Sequence, residues 1–140
     1  MKKNNRKLHA YQTTNRAKHN LKVHLILVCK YRKKLLEQGI EANIKDIIRD
    51  IENNSDFDII EMETDIDHIH LMIQYIPKVS ISSIINRVKS ITTKRIWNLH
   101  QQILQKHFWK EKTFWTDGYF VCSVGEASPE TIQNYIKNQG

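Results

Sequence analysis

Two imidazoles in the run Asp67-His68-Ile69-His70-Leu71-Met72-Ile73, and a phenol and an amide at Tyr135 and Gln139, are the side chains whose types and spacing could do chemistry in this chain. The run is strand-like, and alternate residues of a strand share a face, so His68 and His70 point one way while Ile69 and Leu71 turn toward a core. Paired imidazoles on one face can hold a metal ion. Tyr135 and Gln139 stand four apart in a stretch that reads as helix, which puts both on one helical face. Together they sketch a nucleophile beside a metal. Neither half says this alone. The chain has seven histidines, strand histidines are commonly structural, and helical tyrosines are commonly core residues with a wet hydroxyl. The conjunction carries the reading.

The elements that must position these groups alternate between strand and helix. Leu21 to Tyr31 reads as a buried strand. Glu41 to Asn53 carries Ile44, Ile47, Ile48 and Ile51 at helical spacing, closed by Asn53-Asn54-Ser55. Phe57 to Thr64 alternates as a second strand, Asp65 to Asp67 turns, and His68 to Ile76 is a third strand ended by Pro77. Ser80 to His100 opens on a Ser cap with Ile81, Ile84, Ile85, Val88 and Ile91 along one face. Gln101 to Thr116 is open to either state. Tyr119 to Val124 is a fourth strand, and Ser128-Pro129-Glu130 starts a last helix that contains Tyr135. The order β-α-β-β-α-β predicts an α+β, ferredoxin-like (split βαβ) fold, an antiparallel sheet with helices on one face and an added C-terminal helix. The first and third strands would be central neighbours, His68 and His70 would face away from the two main helices, and the added helix would bring Tyr135 and Gln139 over that face.

Composition sets limits. A chain of 140 residues fits one domain with a real core. No run approaches the length of a membrane span and the basic N-terminus lacks the apolar stretch of a signal peptide, so a soluble, intracellular protein is expected. Cys29 and Cys122 have no Cys-x-x-Cys spacing and read as reduced, buried and idle. Charge is unevenly placed: residues 1–22 hold seven Lys or Arg and no acid, and residues 23–140 hold fifteen of each sign. Residues 41–67 carry ten acids, whereas residues 69–112 carry eight bases against Glu111 alone. A phosphate-backbone footprint built from the arm, Lys30, Arg32, Lys33, Arg87, Lys89, Lys94 and Arg95 is one reading, and a solvated face with an unstructured tail the other. Residues 1–20 form the basic arm, either an unstructured nucleic-acid tether or variable sequence, and residues 21–140 form a single domain.

Four stretches carry a family resemblance. Cys29-Lys30-Tyr31-Arg32-Lys33-Lys34-Leu35, Asp67 to Ile73, Phe114-Trp115-Thr116-Asp117-Gly118-Tyr119-Phe120-Val121-Cys122-Ser123-Val124-Gly125, and Tyr135-Ile136-Lys137-Asn138-Gln139 resemble, in that order, the single-tyrosine transposases of the IS200/IS605 type in the HUH endonuclease superfamily. The resemblance implies that residues 21–140 are a catalytic domain, with His68 and His70 as metal ligands, Gln139 as the third, and Mg2+ or Mn2+ as cofactor. It implies that Tyr135 attacks a phosphorus of single-stranded DNA, giving a 5′-phosphotyrosine and a free 3′-OH that later reverses the attack. It further implies a homodimer in the cytoplasm of a prokaryote, nucleoid-associated when bound to DNA, that recognises hairpins at the ends of an element. Tyrosine has a free pKa near 10, so the phenolate needs positive charge nearby, and a divalent ion with open positions is the obvious source. No separate general base stands out. Asp67 should alternate to the face opposite His68 and reads as orienting or turn-forming rather than as a ligand.

Two other classes remain open: a hairpin nucleic-acid-binding module of the same fold that does not cleave, and a structural dimer whose histidines hold zinc or nothing. His24 reads as a satisfied strand histidine before a flank of the metal site. His9, His19, His100 and His107 lack ligand spacing. Trp97, Trp109 and Trp115 read as core or dimer packing before base stacking.

Overall fold

The computed structural model describes residues 12–14, 17–125 and 128–138. Two short strands, β1 (Gln12–Thr14) and β2 (Ala17–His19), pair antiparallel within the stretch read as an arm. The domain proper follows as β3 (Leu21–Val28), α1 (Ile40–Asn53), β4 (Phe57–Thr64), β5 (His68–Tyr75), α2 (Ile81–His107), β6 (Phe120–Ser123) and α3 (Pro129–Asn138). β3 to β6 form one sheet in the order β4-β5-β3-β6, with every neighbouring pair antiparallel. This is the expected ferredoxin-like α+β arrangement, with β3 and β5 at its centre.

The sheet has two unlike faces because side chains alternate. Leu25, Leu27, Ile69, Leu71 and Ile73 project to one side, where all five are buried in a cluster with Ile44, Ile47, Ile48 and Ile51 of α1 and Ile84, Ile85 and Val88 of α2. Each such aliphatic side chain contributes about 1.5–3 kcal/mol when taken fully out of water. The register places Ile26 opposite His70 and Val28 opposite His68, so these residues occupy the other face together. That face has an apolar floor: Ile26 and Val28 are fully buried yet stand apart from the main cluster.

α2 starts as the Ser cap predicts, with Ser80 Oγ accepting the Ser83 amide at 3.1 Å. It continues past His100 to His107, through part of the stretch left open above. At His100 the backbone leaves helical geometry (φ −131°, ψ 37°) and the ring is held by Asn43 of α1 at 2.7 Å, while Leu104 beyond the bend is fully buried. Leu104 and Ile103 pack on the main cluster, which rewards continuing the helix across the bend. β3 ends three residues short of the expected Tyr31, because Cys29 makes an isolated bridge with Trp115 and Lys30–Arg32 turn as a 3-10 helix.

Cys29 is buried, and burial pushes its thiol up to about 12, so it is inert; Cys122 on β6 is only half-buried. Trp97 and Trp115 are core residues as expected, whereas Trp109 is 78% exposed. No described helix is long and apolar enough to cross a membrane.

The loop leading into β6 hangs on one buried polar contact. Trp115 Nε1 donates to Thr92 Oγ1 at 2.9 Å, and that hydroxyl donates to the Val88 carbonyl of its own helix at 2.6 Å. Thr92→Val keeps the shape but orphans a buried indole N–H, which should lower the unfolding free energy by about 1–3 kcal/mol. Urea denaturation measures this directly, and a change within about 0.5 kcal/mol would mean that the indole finds another acceptor.

Candidate functional site

β5 delivers His68 and His70 to the face away from α1 and α2, as alternation demands. The loop before β5 holds the first of them. His68 Nδ1 donates to Asp67 Oδ1 at 2.8 Å, which in the neutral ring leaves the Nε2 lone pair pointing outward. Asp67 therefore orients its neighbour, one of the two roles that the sequence allowed it. Burial alone would raise the Asp67 carboxyl, but the hydrogen bond from His68 and the charges of His68 and Arg32 hold it below the usual range.

His70 has a partner that alternation within β5 could not reveal. Its Nε2 lies 2.8 Å from Nδ1 of His24 on β3, with the rings 4.9 Å apart and tilted by 32°. His24 stands opposite Met72, diagonal to His70, and diagonal pairs on one sheet face are within side-chain reach. Burial and the adjacent His24 hold His70 below the ordinary imidazole value, outweighing the opposite pull of Glu63 and Glu61, so its ring is neutral at pH 7. Glu63 is the direct cross-strand partner of His70, and Glu61 that of Met72. A neutral imidazole and an outward lone pair beside carboxylates suit a divalent cation in donor chemistry. Among the described residues no set of three His, Cys, Asp or Glu donors is close enough to hold a metal by itself. Gln139 lies outside the described residues.

α3 brings Tyr135 over the same face. Ser128 caps it, its Oγ accepting the Thr131 amide at 3.1 Å, and Pro129 opens the first turn. Tyr135 packs on Phe120 of β6 with ring centroids 5.1 Å apart. Phe120 pairs with Ile26, and Ile26 pairs with His70, so the three stand in one row across the sheet. With strands about 4.8 Å apart, the Phe120 and His70 backbones are roughly 10 Å apart. The phenol and the imidazoles thus share a face within one chain. The Tyr135 hydroxyl is buried and has no hydrogen-bond partner among the described residues, and burial raises its pKa.

The remaining basic candidates separate by location. Arg95 pairs with Asp50 of α1 at 3.0 Å and Arg87 donates to the Asn54 carbonyl at 3.4 Å, so both bind the acidic helix of their own chain. Lys33 lies over the Phe108 ring. Lys89 and Lys94 line an open groove of about 690 Å³ with Lys112, Thr113 and Trp115. Lys89 donates to the carbonyls of Thr116 and Asp117, while Lys30 pairs with the Asp117 carboxylate at 3.5 Å. Burial lowers the Lys89 pKa and Lys30 adds to that, against the pull of Asp117.

Arg32 sits apart from all of these. Its Nε donates to Asp67 Oδ2 at 3.2 Å and its Nη1 to the Lys137 carbonyl of α3 at 2.8 Å. Tyr31 and Arg32 both have left-handed backbones, φ 57° and 56°, which ordinary side chains adopt at a cost of order 1 kcal/mol or more each.

Two histidines and a tyrosine share one face of a ferredoxin-like sheet, the tyrosine carried by an appended helix, which is the arrangement that the resemblance to single-tyrosine transposases implies. Comparison with known proteins agrees. The family model described as transposase IS200 like matches residues 17–139, and the chain belongs to that single-tyrosine transposase family. It is 31% identical over 121 residues to the ISDra2 transposase TnpA of Deinococcus radiodurans, covering 86% of this chain and 85% of that one. It is 29% identical over 120 residues to the transposase for insertion sequence element IS200 of Salmonella typhimurium, covering 86% and 77%. A solved transposase structure from Deinococcus radiodurans superimposes with a TM-score of 0.83 at 27% identity, covering 91% of this chain and 97% of that one. A REP-associated tyrosine transposase bound to a REP hairpin shares the fold, with a TM-score of 0.55 at 12% identity. The chain is thus a transposase, an enzyme that acts on DNA.

The raised Tyr135 pKa has a measurable sign. Its proton is held more tightly in the folded chain than in the unfolded one, so this group's contribution to stability is full below about pH 10 and falls as pH rises above it. Ultraviolet titration of wild type minus Tyr135→Phe should show one phenol ionising later than free tyrosine. A difference curve at the ordinary position would mean that the hydroxyl is solvated.

Proposed function

We propose that the protein is a single-strand DNA transposase that recognises hairpins at element ends and cleaves and rejoins strands through Tyr135. The observation that supports this most is the shared sheet face: Tyr135 packs against Phe120, which stands in the same cross-strand row as His70 within one chain. That a neighbour in fold was solved on a REP hairpin supports a hairpin partner for this chain.

In the cleavage step a bond forms between Tyr135 Oη and phosphorus and the bond from phosphorus to the 3′ oxygen breaks. The phenolic proton passes to solvent, and the departing oxygen leaves as a 3′-OH after taking up a proton. Rejoining reverses both changes, so neither water nor ATP is consumed. His68 and His70, with Gln139 as third ligand, would hold Mg2+ or Mn2+. Bound there, the ion supplies Lewis-acid stabilisation of charge on the phosphate and favours the phenolate. The chain's own residues do the rest. Asp67 holds the His68 ring in one tautomer, His24 holds the His70 ring, and Phe120 and Ile26 form the apolar floor under the phenol. Family members that place the tyrosine of one subunit in the other's site would use a homodimer, and this chain is proposed to form one.

A second reading, a hairpin-binding module that does not cleave, draws on the buried hydroxyl of Tyr135, which has no hydrogen-bond partner among the described residues. One experiment separates the two. Incubation with a single-stranded hairpin oligonucleotide and Mn2+ or Mg2+ should give a covalent protein–DNA adduct on a denaturing gel. Tyr135→Phe should abolish it, and His68→Ala or His70→Ala should slow it by at least about a hundredfold. An adduct that survives Tyr135→Phe rejects the nucleophile assignment, and hairpin binding without any adduct favours the second reading.

A further inference from the structure

α3 is a ten-residue helix with no fully buried residue, only Ile132, Tyr135 and Ile136 half-buried on one face. A helix that short is marginal in water without tertiary contacts, so the contacts it makes decide where Tyr135 sits. One is the Phe120 ring. Another is Arg32, whose Nη1 donates to the Lys137 carbonyl, one of the last carbonyls of the helix, which have no partner within it. A guanidinium there also meets the negative end of the helix dipole. The same guanidinium grips Asp67 through Nε, and Asp67 grips His68 through its other oxygen. An unbroken chain of hydrogen bonds therefore runs from the backbone of the tyrosine helix to the imidazole of a proposed ligand.

The turn that presents Arg32 is itself built against the loop that carries Asp67. The Cys29 amide donates to the Asp67 carbonyl at 2.9 Å and the Leu36 amide to the Ile66 carbonyl at 2.9 Å, which brackets the turn on both sides. Between these anchors, Tyr31 and Arg32 hold left-handed backbones that neither residue favours. Such strain persists only where surrounding contacts over-determine it, and here its result is an arginine aimed at two acceptors on separate elements. A phosphate contact would need neither.

We propose that Arg32 is a positioning residue that sets the register of α3, and hence of Tyr135, against His68 through Asp67; this rests on the roles proposed above for Tyr135 and His68. Arg32 is thereby assigned to the inside of the active site rather than to the DNA footprint. Its planar fork is what the task requires, because an ammonium cannot serve two acceptors in a fixed plane.

The test uses the full chain as wild type, Arg32→Lys and Arg32→Ala. Amide hydrogen exchange on metal-free, DNA-free protein should accelerate several-fold in residues 129–138 for both variants, while α1 and α2 exchange as in wild type. A fluorescent hairpin oligonucleotide should bind Arg32→Lys as tightly as wild type, since the charge is retained. The rate of Tyr135 adduct formation at saturating hairpin should fall by about tenfold or more in both variants, the expected cost of misplacing a reacting group. Unchanged exchange in α3 overturns the proposal. So does a variant that binds the hairpin more weakly but reacts normally once saturated, which marks a phosphate contact. Should wild type form no adduct at all, the nucleophile reading fails, and exchange in α3 still decides whether Arg32 holds that helix.

Discussion

The pairing of β3 with β5 is the constraint on which everything else rests. Strand side chains alternate with a period of two, so one register fixes the face of every residue at once, and a slip of one residue would exchange the faces. The observed register commits Leu25, Leu27, Ile69, Leu71 and Ile73 to the helices and puts His24, His68 and His70 on the other side. Burying five aliphatic side chains outweighs any preference that three histidines could express. The site is thus placed by the core behind it: the imidazoles face outward because Ile69 and Leu71, between and beside them, must face in.

Attachment of the tyrosine helix obeys a different economy. α1 and α2 are held by continuous apolar stripes, and α2 tolerates a non-helical residue at His100 because Leu104 is buried beyond it. α3 has only a short stripe, Ile132, Tyr135 and Ile136, all half-buried rather than buried, supplemented by the ring of Tyr135 on Phe120 and the Lys137 carbonyl on the Arg32 guanidinium. Its placement therefore draws on less apolar burial than that of α1 or α2. The chemistry proposed for Tyr135 depends on the element that the core supports least.

Periodicity made the sheet, both main helices and the Ser80 and Ser128 caps legible from sequence, because each of those signals is local. The face shared by His68 and His70 was legible for the same reason. For His24 the sequence favoured a satisfied strand histidine over a flank of the site, and the contact with His70 was not singled out, since it is a diagonal across β3 and β5 and needs a register that no single strand encodes. Arg32 was misleading in a related way. Within Lys30-Tyr31-Arg32-Lys33-Lys34 it looks like one charge among equals, and only the left-handed turn and the Asp67 loop set it apart. Arg87 and Arg95 show the opposite error of scale: the basic helix and the acidic helix are adjacent, so part of the apparent charge polarity is spent on contacts of Arg95 with Asp50 and Arg87 with Asn54. Gln139 lies outside the described residues, and its proposed role as a ligand comes from the family resemblance alone.

The electrostatics of the histidine face constrain what the proposed chemistry requires. Asp67 is held ionised, His70 is held neutral, and Glu61 and Glu63 stand on the neighbouring edge strand. A phosphodiester approaching that face alone would meet net negative charge, and Tyr135 beside it is held protonated by burial. Both obstacles have one remedy. A divalent cation on the imidazoles would neutralise the carboxylates, attract the phosphate and draw the phenol toward its anion. Arg32 cannot substitute for it, because its guanidinium is already shared between Asp67 and the end of α3. On this reasoning the acidic residues next to the histidines favour the cation.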